Sequence, residues 1–169
     1  MIVLMAGLPA SGKSTLCREL ARITSGVVLS KDEVRAALFP PADIEYSIEQ
    51  DDFCMRVVLE TAAYILRKNP KRFVFLDGRT FSRRYQIERV ITAADELNQP
   101  WRILECVCAE ETAKKRLEEQ AGAHPAGNRD FQLYLRVKVG FEKIILPKTV
   151  IDTDQPVEEC LRLASAALK

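Results

Sequence analysis

The first fifteen residues, MIVLMAGLPASGKST, constrain the fold more than any other part of the chain. Residues 1–6 form an apolar run, which indicates a strand buried on both faces. Gly7 and Gly12 follow where that strand would end, and an amphipathic helical pattern begins at Lys13. A strand, a glycine-containing loop and a helix in this order predict an α/β fold built on a parallel sheet.

The loop itself has a specific pattern. Residues 7–14, GLPASGKS, fit the pattern G-x-x-x-x-G-K-[ST]. The alternative is an accidental glycine-rich turn, which is disfavoured because a predicted strand precedes the pattern and a predicted helix follows it. Glycines allow a ligand close to the main chain, whose N–H groups and helix N-terminus then attract phosphate oxygens. We expect the Ser14 hydroxyl to coordinate Mg²⁺, which prefers oxygen ligands. The residues expected to bind a nucleotide's phosphates are Gly7, Ser11, Gly12, Lys13, Ser14 and Thr15.

The rest of the chain alternates short apolar runs with helical patterns, as in a parallel sheet covered on both faces. Strands are predicted at residues 1–6, 27–30, 72–76, 101–107 and 149–151, and helices at 13–24, 31–38, 47–66, 82–97, 110–120, 130–145 and 157–168. Ser47 and Gln50 are spaced as a capping box for the third helix. Ile23 and Phe53 are among the apolar residues expected to face the core.

Composition excludes several classes of protein. The chain has 169 residues with 47% hydrophobic and 29% charged residues, as expected for one soluble domain. The net charge of +1 provides no overall attraction to nucleic acid or membrane. We expect a cytoplasmic protein, because no apolar run reaches the ~20 residues that span a bilayer. The cysteines form no C-x-x-C pair, and we expect Cys106 and Cys108 to be buried on one strand face.

A second group of polar residues follows the predicted second strand, in SKDEVR at residues 30–35. Asp32 and Arg35 are three residues apart and therefore neighbours on one helix face, near the edge of the sheet that holds the phosphate loop. Asp32 has the chemistry to accept a proton from an attacking hydroxyl, and Arg35 to hold an anionic part of an acceptor. The structural alternative is that Asp32 only caps the helix while Arg35 faces solvent.

Asp77 ends the predicted third strand, where an unpaired buried carboxylate is costly. It is expected either to hold a Mg²⁺-bound water or to orient Asp32 or an arginine. The turn that follows, GRTFSRR at residues 78–84, is expected to shape an acceptor pocket together with residues 40–46.

Together these segments resemble the small P-loop kinases related to the 5′-hydroxyl kinase domain of polynucleotide kinase, with chloramphenicol phosphotransferase and zeta-toxin-like kinases as more distant relatives. The similar segments are GLPASGKST, LSKDEVR, YSIEQ, FLDGRTFSRR, ILECVCA, ETAKKRLEEQ, FEKI and VIDTDQP. The resemblance implies one P-loop NTPase domain over residues 1–169. That domain would be a three-layer α/β/α fold with a five-stranded parallel sheet of order 2-3-1-4-5 and a short lid at about residues 116–130.

The same resemblance implies roles for particular residues. Lys13 and Ser14 would bind ATP phosphates and Mg²⁺, Asp32 would be the general base and Asp77 would support the reaction centre. Arg35 would contact the acceptor, and residues 151–156 would lie near the adenine. Arg116 matches the family's first lid arginine. The next one corresponds to Gln120, so Arg129 is the other candidate.

These observations predict an ATP-dependent kinase that phosphorylates a hydroxyl group. The acceptor is left open between a small metabolite, a nucleotide and a nucleic-acid 5′ end, as is the oligomeric state. Near-neutral charge and only 7% aromatic residues weigh against a long single strand. A nucleotide-binding regulatory module or an ATPase without acceptor phosphorylation is the alternative. Phosphorylation of a sugar nucleotide ranks lower, because the chain is compact.

Overall fold

The computed structural model describes residues 1–119 and 130–169 of the chain. Within these ranges the strands form one five-stranded parallel sheet of order β2-β3-β1-β4-β5, which confirms the predicted fold class. The strands are β1 Ile2–Ala6, β2 Val27–Ser30, β3 Val74–Asp77, β4 Trp101–Val107 and β5 Thr149–Asp152. The helices are α1 Lys13–Thr24, α2 Lys31–Leu38, α3 Ile48–Lys68, α4 Arg84–Glu96, α5 Glu110–Glu119, α6 Phe131–Val139 and α7 Val157–Ala167, with a short 3₁₀ turn at Pro41–Asp43.

Helices cover both faces of the sheet, as the uninterrupted apolar strands require. Alternate residues of β1 point to opposite faces. Ile2 and Leu4 pack under α3 and α4, whereas Val3 and Met5 pack under α1 and α7. Every residue of β1 is buried, so its carboxyl end opens directly into the loop that follows. None of the described helices is long and apolar enough to cross a membrane.

Two apolar residues expected in the core are exposed. The side chain of Ile23 is 47% exposed, because the buried positions of α1 are taken by residues such as Leu20 and Ala21. Phe53 is 40% exposed and packs edge-on against Phe39, with ring centroids 5.7 Å apart, at the outer side of α3. Apolar residues near a helix end or beside a neighbouring loop satisfy the helical pattern without reaching the sheet.

Helix α6 is shorter than the predicted helix at residues 130–145. It begins after Asp130, whose side chain accepts a hydrogen bond from Leu133 N at 2.6 Å, and it ends at Gly140. The residues that follow are still apolar, and Ile144 is buried against the main core with Phe141 packed beside it. A non-helical segment thus buries Ile144 and part of Phe141, whereas Ile145 is exposed.

The segment after α6 is attached to the start of α4 through Glu142. The Glu142 N–H donates to the Ser82 carbonyl at 2.9 Å, and its carboxylate accepts from Arg84 N at 2.7 Å. Arg83 adds an ion pair to the same carboxylate at 3.2 Å. Because a carboxylate at a helix N-terminus satisfies free N–H groups, this contact places the turn before α4 and the end of α6 side by side.

The long helix α3 starts at the predicted cap, but the Gln50 side chain bonds to other groups than the capping box predicts. Ser47 Oγ accepts from Gln50 N at 3.1 Å, as a capping box requires. The Gln50 side chain does not return to Ser47. Instead it accepts from Glu45 N at 3.1 Å and donates to Asp43 O at 2.8 Å. Gln50 therefore attaches residues 43–45 to the first turn of α3.

The cysteines differ in exposure in a way that chemical labelling can detect. Cys17, Cys54, Cys106 and Cys160 are buried, and burial raises the pKa of the Cys106 thiol to about 12. Cys108, expected to be buried, is half-buried because it follows the end of β4. We expect iodoacetamide at pH 8 to modify Cys108 first and the other thiols only after unfolding. Intact-mass spectra with several early adducts on the folded protein would contradict this.

Candidate active site

The loop between β1 and α1 has the backbone that its glycines predicted. Gly7 has φ of 131°, and a Cβ atom there would lie 2.2 Å from the Cys106 carbonyl oxygen. Gly7 N donates to the Thr80 carbonyl at 3.1 Å, which fixes the start of the loop against the turn after β3. Gly12 has φ of 80° directly before the first residue of α1. A side chain at Gly7 would displace β4, so this loop requires glycine.

Lys13 is folded into this loop. Its side-chain nitrogen donates to the Gly7 and Leu8 carbonyls at 2.9 and 2.6 Å, and it lies 3.4 Å from Ser11 Oγ. Lys13 is only 8% exposed. The loop therefore surrounds a positive charge at a helix N-terminus, which is the electrostatic arrangement that a phosphate group needs. Of the other predicted phosphate-binding residues, Ser11 is buried and Thr15 is exposed.

Lys13 and Ser14 line a cavity of about 600 Å³ at the carboxyl edge of the sheet. Residues from α2, α3, the turn after β3, α4 and α6 form its other walls. The cavity brings together the predicted residues Lys13, Ser14, Asp32, Arg35 and Asp77. Ligands of open parallel sheets bind at this edge, so these residues form the candidate active site.

Asp32 and Arg35 lie in a network of four charged side chains, of which three are buried and the fourth, Asp51, is half-buried. Arg35 donates to Asp32 Oδ1 at 3.0 Å and, through its other terminal nitrogen, to Asp51. Lys31 lies 3.2 Å from the same Asp32 oxygen and donates to Asp51 at 2.8 Å. Asp32, Arg35 and Lys31 are 8%, 2% and 7% exposed, so Arg35 does not face solvent. Burial lowers the pKa of the Lys31 ammonium, and the neighbouring Asp32 carboxylate opposes this shift.

Asp77 lies beside this network at the end of β3. It pairs with Ser30 in the sheet, and a Cβ atom on Gly78 would lie 3.0 Å from the backbone nitrogens of Lys31 and Asp32. This close contact is possible because Gly78 has no side chain and has φ of 81°. The end of β3 and the start of α2 therefore touch, which places both carboxylates on one cavity wall.

The carboxylate of Asp77 fits a role at a magnesium ion. Asp77 is 6% exposed, and its Oδ1 atom has no hydrogen-bond partner in the described ranges. A buried carboxylate oxygen without a donor is costly, and a magnesium-bound water would supply that donor. Ser14 lines the same cavity and offers its hydroxyl. Ser14 and Asp77 thus have the chemistry to hold Mg²⁺ directly or through its waters.

Arg79 belongs to the site as well. It donates to Asp52 at 2.6 Å and lies 3.3 Å from the Tyr85 hydroxyl. Arg79 is 5% exposed, and its Nε atom lacks a partner in the part of the chain that the structure describes.

Arg116 lies on the other side of the phosphate loop. Its guanidinium donates to the Ala10 carbonyl at 3.2 Å and to the Thr153 hydroxyl and carbonyl at 3.0 and 2.8 Å. It is not among the residues that line the cavity with Asp32. A role for Arg116 at the transferred phosphoryl group therefore stays a prediction. Gln120 and Arg129, the other residues considered for the lid, lie outside the described residues.

Sequence reasoning did not assign roles to Lys31, Asp51 or Arg136, which also line the cavity. The capping pattern at Ser47 predicted where α3 begins and therefore placed Asp51 in its first turn. No local pattern shows that α3 packs against α2 and brings Asp51 to Arg35. Arg136 lines the cavity together with Leu133 and Val137 of α6, and the sequence predicted only a helix there.

Solved structures with similar folds include three named proteins. The gluconokinase from Sinorhizobium meliloti has a TM-score of 0.70 at 18% identity, covering 99% of this chain and 90% of that one. The Mycobacterium tuberculosis APS kinase CysC, in complex with AMPPNP and APS, has a TM-score of 0.73 at 16% identity, covering 99% and 96%. Chaetomium thermophilum Kti12, in complex with ADP-AlF3, has a TM-score of 0.68 at 16% identity, covering 100% of both chains. At these identities the similarity establishes the fold.

A comparison with curated protein sequences found no match. A family model does match, over residues 2–137, and its description is an AAA domain. That range includes the phosphate loop, Asp32, Asp77 and Arg116. The chain therefore belongs to this AAA-domain family, with the fold of P-loop kinases.

Proposed function

We propose that the protein is an ATP-dependent kinase that transfers the γ-phosphoryl group to a hydroxyl of an acceptor. The observation that carries the proposal is that the phosphate loop and the buried carboxylate of Asp32 line one cavity. A site that held only a nucleotide would not need a second buried charged network opposite the loop. Phosphoryl transfer depends on positioning and charge stabilisation, and both elements are available here.

Each residue has a role in this proposal. Lys13 stabilises negative charge on the outer phosphates, while Ser14 and Asp77 hold Mg²⁺, which neutralises phosphate charge when bound. Asp32 Oδ1 is held by Lys31 and Arg35, so the other carboxylate oxygen is left to accept the proton of the acceptor hydroxyl. Arg35 contacts the acceptor.

The nucleotide is proposed to be ATP. No N-K-x-D guanine motif occurs in the sequence, and AMPPNP and ADP-AlF3 are bound by proteins of the same fold. The adenine would lie near Thr153, beyond the phosphate loop, where Arg116 is held. We also propose that residues 116–130 act as a lid over a single domain spanning residues 1–169.

The acceptor is proposed to be a small hydroxyl compound or a nucleotide. Gluconokinase and APS kinase share the fold and are named for small acceptors, which supports this class. The specific relation to polynucleotide kinase is part of the proposal, and a nucleic-acid 5′ end is the less favoured acceptor. The second candidate is a regulatory ATP-binding protein, favoured by the position of Arg116 outside the cavity.

Product analysis tests the proposal directly. The protein is incubated with ATP, Mg²⁺ and a panel of sugars, sugar acids, nucleosides, nucleotides and short 5′-hydroxyl oligonucleotides, and the products are identified by mass spectrometry. We expect one acceptor class to gain a phosphoryl group, with ADP formed in equal amount. ADP and free phosphate without any phosphorylated acceptor would instead support the ATPase alternative.

A further inference from the structure

Asp51 pairs with both buried cations of the network at the cavity wall. A single oxygen of its carboxylate, Oδ1, accepts from Lys31 at 2.8 Å and from Arg35. Both cations are more than nine-tenths buried, whereas the side chain of Asp51 is 26% exposed at the cavity wall. A carboxylate that binds two buried cations from a more exposed position competes with any other anion that approaches them.

The network as a whole is balanced in charge. Lys31 and Arg35 supply two positive charges, and Asp32 and Asp51 supply two negative charges, each meeting both cations through one oxygen. The two terminal nitrogens of Arg35 are thus already bound by carboxylates. Its Nε atom is buried without a partner in the described ranges, and the Tyr46 ring lies 5.0 Å from the guanidinium carbon. An acceptor's oxyanion therefore has to displace Asp51 to reach Arg35.

We propose that Asp51 determines the charge of the acceptor that the site accepts. By neutralising Lys31 and Arg35, it disfavours acceptors with a carboxylate, sulfate or phosphate beside the reacting hydroxyl, and it favours acceptors that are uncharged there. Removal of its charge leaves two buried cations facing one remaining carboxylate, which creates an anion site in the same place. This inference rests on the proposed kinase function, because only a kinase has an acceptor. The effect of Asp51 on anion affinity can nevertheless be measured by binding alone.

The test compares Asp51→Asn with Glu49→Gln. Both variants remove one negative charge from the first turn of α3, but Glu49 is exposed and does not line the cavity. Inorganic sulfate is titrated by calorimetry into each protein saturated with a non-hydrolysable ATP analogue and Mg²⁺, which fills the phosphate loop. We expect the sulfate dissociation constant of Asp51→Asn to fall at least about tenfold relative to Glu49→Gln and wild type. Equal or weaker sulfate binding by Asp51→Asn would overturn the proposal.

The result is separable from the proposed kinase activity. If the analogue does not bind, the proposed function fails; the titration is then run on nucleotide-free proteins, where the phosphate loop contributes equally to both variants. Thermal melting establishes that each variant is folded, and Asp51→Ser replaces Asp51→Asn if the latter unfolds. Where transfer is observed, the ratio of kcat/KM for anionic over neutral acceptors should rise at least about tenfold in Asp51→Asn. An unchanged ratio contradicts the assignment.

Discussion

The Lys13→Ala variant is expected to lose phosphoryl transfer by at least about 10²- to 10³-fold and to bind ATP more weakly. The side-chain nitrogen is surrounded by carbonyl and hydroxyl oxygens of the loop, so the charge is already placed where phosphate oxygens would lie. Its loss removes both the attraction for the ground-state phosphates and the stabilisation of charge in the transition state. Transfer is measured with the acceptor found by product analysis, and ATP binding is measured by calorimetry.

A matched control separates this effect from a general change in charge. Lys143→Ala removes a lysine that is exposed and outside the cavity lining, so it should keep wild-type transfer. The melting temperature of Lys13→Ala must also be determined, because the substitution removes contacts that hold the loop. A folded Lys13→Ala protein that transfers phosphate at the wild-type rate would refute the assigned role of the loop.

The Asp32→Asn variant is expected to reduce kcat by about 10²- to 10⁴-fold while nucleotide binding is retained. Asparagine has nearly the same shape but is not a base for the acceptor hydroxyl. The substitution leaves the phosphate loop untouched, since the Asp32 side chain bonds to Lys31 and Arg35. Steady-state kinetics with both substrates and calorimetry with ADP and Mg²⁺ distinguish loss of chemistry from loss of binding.

Glu33→Gln is the control for Asp32→Asn. Glu33 is the next residue of α2, is exposed, and carries the same charge away from the cavity. We expect its turnover to equal that of the wild type. If Asp32→Asn keeps full turnover with the same acceptor, the general base must be another group. Asp77 would then be the first residue to test, because it lies on the same cavity wall.

The sequence predicted those parts of the fold whose signals are local. The bounds of α1, α2, β2 and β4 agree with the predicted ranges, because caps, prolines and changes of periodicity occur at their ends. The predicted helix at residues 130–145 was too long, because α6 ends before Gly140. The apolar residues beyond it lie in an irregular segment, and in the sequence they look the same as a helix face. Burial of Arg35 also required knowledge of tertiary packing.

The candidate site was predictable to the extent that it lies at strand ends. Asp32 follows β2 and Asp77 is the last residue of β3, and parallel topology brings such residues to one edge of the sheet. The partner of Arg35 could not be predicted in this way. Asp51 is sixteen residues further along on another helix, and only the packing of α2 against α3 brings the two together. Sequence patterns thus locate candidate chemical groups, whereas packing determines which of their charges are neutralised.

Gly78 couples the positions of Asp32 and Asp77, because it lies where the end of β3 meets the start of α2. A larger residue at this position would be strained at φ of 81° and would crowd the backbone nitrogens of Lys31 and Asp32, so the first turn of α2 would have to shift relative to the end of β3. The proposed proton acceptance by Asp32 and the proposed metal binding by Asp77 would then decline together, although neither carboxylate had been altered. A survey of natural or selected sequences should accordingly find that replacements at this position are tolerated only when the whole chemistry has been abandoned.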